Sequence, residues 1–176
     1  MATTTAIPVE EYLRTTYHPD MEYVDGELKE RNVGEHQHSR LQALVVGLLL
    51  PRERQRKFRV LTEQRLRTSG KKHLYRIPDV CVMALPYRRE PVLTTPPHLA
   101  IEITSPDDET ADILAKVADY LRFGIPHIWI PDPYKRTLQQ ADHGGIRDCP
   151  GLVVETDLVG QVDFNELFAQ LDEPTE

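Results

Sequence analysis

The sequence predicts a mixed α/β sheet in three layers, with helices packed on both faces. Three features carry this expectation: short β-branched runs with apolar alternation, two stretches in which apolar residues return every three or four positions, and the interleaving of both kinds along 176 residues. That length is enough to bury a real core and fits one domain, so residues 1–176 are read as a single unit.

The elements follow in order. Pro8 ahead of Val9-Glu10-Glu11-Tyr12-Leu13 opens a short helix, because a missing N–H costs little in a first turn. Residues 22–29 carry Asp25-Gly26 between alternating residues, the signal of a two-residue hairpin. From His38 onward Leu41, Leu44, Val45, Leu48 and Leu49 mark one face of a helix that Pro51 follows. Residues 58–67 read as one strand or two short ones, with a turn at Ser69-Gly70-Lys71-Lys72. In Pro78-Asp79-Val80-Cys81-Val82-Met83, Val80 and Val82 face one way while Asp79, Cys81 and Met83 face the other.

After a proline-rich loop, residues 98–104 repeat the pattern, with Leu99, Ile101 and Ile103 on one face and Ala100, Glu102 and Thr104 on the other. A helix over 110–123 follows from the spacing of Ile113, Leu114, Val117 and Leu121, and Gly124 stands where a C-cap glycine belongs. Residues 125–130 read as a strand ended by Pro133. Strands over 136–141 and 152–155 flank a turn at His143-Gly144-Gly145, and Asp163 caps a last helix over 164–171.

Composition excludes several classes. No apolar run approaches the roughly 20 residues that span a bilayer, so no membrane association is expected. Residues 1–6 have neither the basic nor the apolar region of a signal peptide, and a cytoplasmic location is expected. Cys81 and Cys149 are far apart and form no CxxC pair, which argues against a disulfide framework or a zinc ribbon; Cys81 reads as core. A net charge of -7 speaks against a protein that coats nucleic acid indiscriminately. Yet residues 51–76 hold ten basic side chains against two acidic ones, which suits either a phosphate-facing edge or a solvated hairpin. Arg65, Arg67, Lys71 and Lys72 are the candidates there for contacting nucleic acid.

Asp79 and Glu102 are the residues to explain. A carboxylate on an apolar strand is costly to bury unless a partner or cation compensates, and two such strands occur in succession. If they pair across the proline-rich loop, the two carboxylates converge and supply hard oxygen ligands to Mg²⁺ or Mn²⁺. The other reading is a pair of acids at strand ends, salt-bridged or wet. His36 and His38, two residues apart, fit neither a helical i,i+4 zinc pair nor a finger. No Ser/His/Asp order, phosphate loop or dinucleotide fingerprint points to another enzyme class.

Six pieces occur in a telling order: Glu22-Tyr23-Val24-Asp25-Gly26-Glu27-Leu28, His38-Ser39-Arg40-Leu41, Arg76-Ile77-Pro78-Asp79-Val80, Ile101-Glu102-Ile103-Thr104-Ser105-Pro106, Lys116 with Tyr120, and residues 124–133. On these the chain resembles the restriction-endonuclease-like superfamily, marked by proline-aspartate and then acidic-x-lysine, and within it the Uma2 family of endonucleases. The resemblance implies a restriction-endonuclease-like core with a mixed central sheet flanked by helices, Asp79 and Glu102 as metal ligands, and Mg²⁺ or Mn²⁺ as cofactor. It implies DNA as partner and makes a homodimer plausible, since duplex cleavage needs two sites.

One departure matters. The superfamily pattern wants lysine two residues after the second acid, where this chain has Thr104. The Uma2-like pattern supplies it from the following helix, which maps to Lys116, at the margin of the Ile113/Val117/Leu121 stripe. Lys116 also suits an ordinary i,i+4 ion pair with Asp112. His38 matches a family histidine, although a histidine at a helix start is often a surface or packing residue. Glu22 matches an acid that completes the metal shell in this superfamily, with Glu35 and Glu63 as competitors; Glu63 is expected on the strand before Asp79. Tyr120 is a further accessory candidate. The expected function is a Mg²⁺-dependent endonuclease acting on DNA; the alternative is a non-catalytic nucleic-acid-binding or interaction module on the same fold.

Overall fold

The computed structural model describes residues 7–18, 20–30, 35–68 and 74–172. Helix α1 (Val9–Arg14) starts after Pro8, as expected. Strands β1 (Met21–Val24) and β2 (Glu27–Glu30) pair antiparallel around Asp25 and Gly26, both at positive φ, the backbone a tight two-residue hairpin needs. Helix α2 (His36–Leu49) buries His38, Leu41, Val45 and Leu49 along one face. Pro51 then turns the chain through a 3₁₀ turn (Leu50–Arg52) into the one-turn helix α3 (Glu53–Arg56).

Next come β3 (Phe58–Thr62), β4 (Leu66–Arg67), β5 (Leu74–Arg76), β6 (Val80–Ala84) and β7 (Leu99–Ile101). Helix α4 (Thr110–Phe123) ends at Gly124, whose φ of 102° places it in the left-handed region that favours glycine, and its N–H closes onto Tyr120 and Leu121. Strand β8 (His127–Asp132) runs through Pro131, two residues later than the sequence suggests, because Ile125 is still tied to the Tyr120 carbonyl. Strands β9 (Thr137–Asp142), β10 (Gly145–Asp148), β11 (Val153–Thr156) and β12 (Gly160–Asp163) precede α5 (Phe164–Ala169). Asp163 caps α5 by accepting the Asn165 N–H.

The central sheet runs β10-β9-β8-β7-β6-β3, with β7 and β8 parallel and the other described pairs antiparallel. One face packs Val80, Val82, Leu99, Ile101 and Trp129 against α2 and α5. The other packs Met83, Ala100, Ile128 and Ile130 against Val117, Tyr120 and Phe123 of α4. These are the three layers, and the alternation read from β6 and β7 sorts their side chains correctly between the two faces. Each fully buried leucine or isoleucine contributes about 1.5–3 kcal/mol relative to exposure, so the two cores fix where the strand ends lie.

A second sheet, β2-β1-β5-β4, stands beside the first. Tyr12, Tyr23 and Tyr75 cluster on it; the Tyr12 hydroxyl donates to the Met21 carbonyl (3.0 Å) and the Tyr23 hydroxyl to that of Ile7 (2.7 Å), which straps α1 to β1. The turn expected at residues 69–72 lies outside the described residues.

The basic stretch does not form one solvated face. Arg76 is buried, and Arg52 donates to the Val159 and Gln161 carbonyls. Arg59 contacts Glu53, and the Arg65 guanidinium sits 4.5 Å from the centre of the Tyr12 ring. Several of these cations therefore serve the fold.

Candidate active site

Strand register brings the acids together. β1 pairs with β5 as Tyr23↔Tyr75, which sets Glu22 beside Arg76 at the end of that ladder. β6 pairs with β7 as Val80↔Ile101, and one step further Asp79 meets Glu102. The parallel neighbour holds the second strand beyond its ladder, through Glu102 N–H to the Trp129 carbonyl (3.0 Å) and Thr104 N–H to that of Pro131 (3.1 Å). Lys116 and Tyr120 lie one turn apart on α4, and both reach Glu102.

The contacts are specific. Asp79 Oδ2 accepts the Ile103 N–H at 2.8 Å and lies 3.4 Å from His38 Nε2. Gln42, one turn after His38, donates to the Asp79 carbonyl at 3.0 Å. Glu102 accepts the Tyr120 hydroxyl on Oε1, and its Oε2 is 3.3 Å from Lys116 Nζ. Glu22 accepts the Ile77 N–H (3.0 Å) and Arg76 Nη1 (2.7 Å), and its Oε1 is 3.9 Å from Lys116 Nζ. Arg76 also donates twice to Asp119 Oδ2, at 2.9 and 2.7 Å. Asp112 pairs with Lys29 at 2.9 Å.

Glu22, Asp79 and Glu102 are each no more than 3% exposed, so their mutual repulsion is poorly screened. Burial, with the charges of Asp79 and Glu22 nearby, pushes the Glu102 carboxyl up to about 7, even though Lys116 and the Tyr120 hydroxyl pull it down. Burial and the facing Glu102 hold the Tyr120 phenol well above its ordinary value, so it remains a donor. Burial by itself would lower the Arg76 pKa, but Glu22 and Asp119 more than offset this and raise it above the ordinary guanidinium value.

The surplus of negative potential suits a small cation. A crevice of about 20 Å³ opens between His38, Asp79, Glu102, Ile103, Ser105, Asp108 and Lys116. That is room for about one ion or water, walled by carboxylate oxygens of the hard type that Mg²⁺ and Mn²⁺ prefer. Beside it lie two wider clefts. One, of about 210 Å³, is lined by Glu22, Lys29, Arg76, Asp108 and Lys116 among others; a second, of about 260 Å³, includes Thr104, Asp108, Asp132 and Lys135. The Thr104 hydroxyl oxygen is buried without a hydrogen-bond partner among the described residues.

The fold thus gathers Glu22, His38, Asp79, Glu102, Lys116 and Tyr120. Glu63 stands apart: it follows β3 rather than lying on it, at a positive φ, and its side chain is exposed while its N–H donates to the Asp79 carbonyl at 3.2 Å. Glu35 accepts the Tyr134 hydroxyl at 3.0 Å and does not line the crevice. Arg67 is exposed on β4, and Lys71 and Lys72 lie outside the described residues. Sequence reasoning missed the Arg76–Asp119 pair. Its signal was present, since Arg76 stands three residues before Asp79 and Asp119 is next to Tyr120.

The fold is a mixed sheet whose strand ends bring buried acids to a lysine on a helix, and comparison with known families places the chain as a whole. The model of the Uma2 family, described as "Putative restriction endonuclease", matches residues 9–155, and the chain belongs to that family. A crystal structure of a "putative nuclease belonging to DUF820" from Anabaena variabilis superposes with a TM-score of 0.80 at 22% identity, over 94% of this chain and 99% of that one. Its fold is therefore shared. A DrdV–DNA complex solved by electron cryomicroscopy gives a TM-score of 0.41 at 16% identity, over 76% of this chain and 12% of that one, a likeness too slight to bear on the fold. No curated protein sequence matches the chain significantly.

Proposed function

We propose that this protein is a divalent-metal-dependent endonuclease that hydrolyses phosphodiester bonds in DNA, with Asp79 and Glu102 holding Mg²⁺ or Mn²⁺ and Lys116 acting beside them. The observation that carries this reading is the convergence of two buried strand carboxylates and a lysine ammonium on a crevice of single-ion size. When bound, the ion supplies Lewis acidity toward the scissile phosphate.

The chain's own residues do the rest. The Ile103 N–H and the His38 ring orient Asp79, and the Tyr120 hydroxyl fixes Glu102. Lys116 orients the attacking water and offsets charge gathering on the phosphate oxygens, a contribution on the scale of about 3–4 kcal/mol for a preorganised donor. Glu22, held by Arg76 and the Ile77 N–H, strengthens the field that attracts the cation and anchors Lys116 from its other side. No side chain has to form a covalent bond with the substrate.

The test is cleavage of supercoiled and linear duplex DNA by the wild type and by Asp79→Asn, each with Mg²⁺ or Mn²⁺. Metal-dependent cleavage that disappears in Asp79→Asn supports the proposal. Binding without cleavage by the wild type, under both ions, turns the assignment to a non-catalytic nucleic-acid-binding module.

A further inference from the structure

At the other end of the central sheet lies a second group of metal-ligating side chains that the nuclease chemistry does not use. Because β7 and β8 run parallel, their first residues meet at one edge, with Leu99 paired to His127. His98, immediately before β7, therefore brings its ring to that of His127, with centroids 4.9 Å apart. The turn between β11 and β12 comes over the same edge and sets Asp157 Oδ1 3.4 Å from His98 Nε2. One donor atom from each of the three lies within 4.8 Å of the others. His98 stands four residues ahead of Glu102 on an extended chain, about 13 Å away.

We propose that His98, His127 and Asp157 form a binding site for a divalent transition ion of the Zn²⁺ class, which clamps the β11–β12 hairpin to the starts of β7 and β8. Two imidazole nitrogens and one carboxylate oxygen suit Zn²⁺ and discriminate against Mg²⁺, which prefers oxygen throughout. The 3.4 Å separation of His98 Nε2 and Asp157 Oδ1 matches the distance of about 3.4 Å between two donors on a tetrahedral ion whose bonds are about 2.1 Å. The Asp157 side chain is 88% exposed, so its carboxylate can rotate toward the ion and the site is open to solvent.

His98 Nε2 is also 3.1 Å from Thr156 Oγ1. An ion at that nitrogen replaces this contact, and the threonine oxygen keeps the Val159 N–H that it already accepts. Burial and the neighbouring His127 ring lower the His98 pKa although Asp157 opposes them, which favours the neutral imidazole that a metal requires.

The experiment is calorimetric titration of the full chain with Zn²⁺, and with Co²⁺ as an optical probe, in excess Mg²⁺ to occupy the carboxylate crevice. The same titrations are run on His98→Asn, His127→Gln and Asp157→Asn, and on Asp79→Asn/Glu102→Gln. We expect one Zn²⁺ bound by the wild type and by the Asp79/Glu102 variant. His98→Asn and His127→Gln should weaken it roughly ten-fold or more, and Co²⁺ should show the intense visible absorption of a four-coordinate site. The nuclease proposal is untouched by either result, because these residues take no part in it. Zn²⁺ affinity unchanged in both histidine variants, or no Zn²⁺ bound by the wild type in excess Mg²⁺, overturns the site.

Discussion

The Lys116 ammonium lies 3.3 Å from Glu102 Oε2, so a helix delivers a cation to the acid whose own strand offers only a threonine two residues on. On the proposed mechanism, metal binding and chemistry are therefore separable by mutation. Lys116→Ala is expected to keep metal-induced stabilisation while lowering cleavage about 10²-fold or more, the scale of losing a preorganised charge donor. Thr104 borders a cavity of about 260 Å³, which leaves room for a longer side chain. Thr104→Lys should accordingly restore part of the activity in a Lys116→Ala background. Full cleavage by Lys116→Ala removes the lysine from the mechanism.

Metal binding should register as stability. At an ion concentration of about 100 times Kd, a site present only in the folded state adds about 2.7 kcal/mol. Thermal melts with and without Mn²⁺ are expected to show that gain in the wild type and not in Asp79→Asn or Glu102→Gln. Equal gains in all three proteins would place the ion elsewhere.

The raised Glu102 pKa gives a pH dependence with a definite sign. With a folded value of about 7 against an ordinary 4.5, the fold prefers the protonated carboxyl. That stabilisation is complete below 4.5 and is lost as the pH rises through 7. Chelator-treated wild type should therefore lose melting temperature between about pH 5 and pH 8 relative to Glu102→Gln. Metal should restore it most strongly at the alkaline end, because the ion displaces a proton. Parallel melting curves for the two proteins across that range would contradict the buried-acid account.

Arg76 holds Glu22 and Asp119 at once, with all three side chains at most 7% exposed. Arg76→Ala leaves two buried carboxylates without their shared cation and is expected to cost about 3–5 kcal/mol. Urea denaturation measures this directly. A loss below about 1 kcal/mol, the scale of a surface pair, would show that the network is solvated in practice.

The basic stretch predicts a salt response. Neutralising Arg65, Arg67, Lys71 and Lys72 together should flatten the dependence of DNA affinity on salt, because each phosphate contact releases counterions. Filter binding over a salt series decides it, and an unchanged slope assigns these residues to the solvated surface. Arg65 is the member with a second role, since it also covers the Tyr12 ring.

What could be read in the sequence was set by local physics. The continuous apolar runs Val80-Cys81-Val82-Met83 and Leu99-Ala100-Ile101 mark strands because both faces of the sheet are buried, and Gly124 marks a helix end through its left-handed backbone. Asp79 and Glu102 stood out as acids in apolar runs. β10 did not, because all four of its residues are exposed and only pairing with β9 makes it a strand. β12 was hidden in four residues that include a glycine and the α5 cap. Arg76 was counted only as part of the basic stretch because charge composition carries no burial; its partners come from β1 and α4, and neither is a sequence neighbour. Glu63 failed for a related reason, as strand β3 stops one residue short of it.

The long reach of these contacts bears on how the protein comes into being. Arg76 joins one acid 54 residues earlier and another 43 residues later, so the cluster closes only after large loops have been drawn together. Such non-local closure carries a loop-closure entropy that slows folding. A chain emerging during synthesis shows Glu22, His38 and Asp79 long before α4 exists to bring Lys116, Tyr120 and Asp119. On the reading proposed above, the catalytic set is therefore incomplete in any segment that stops short of α4 and becomes complete only when that helix is in place.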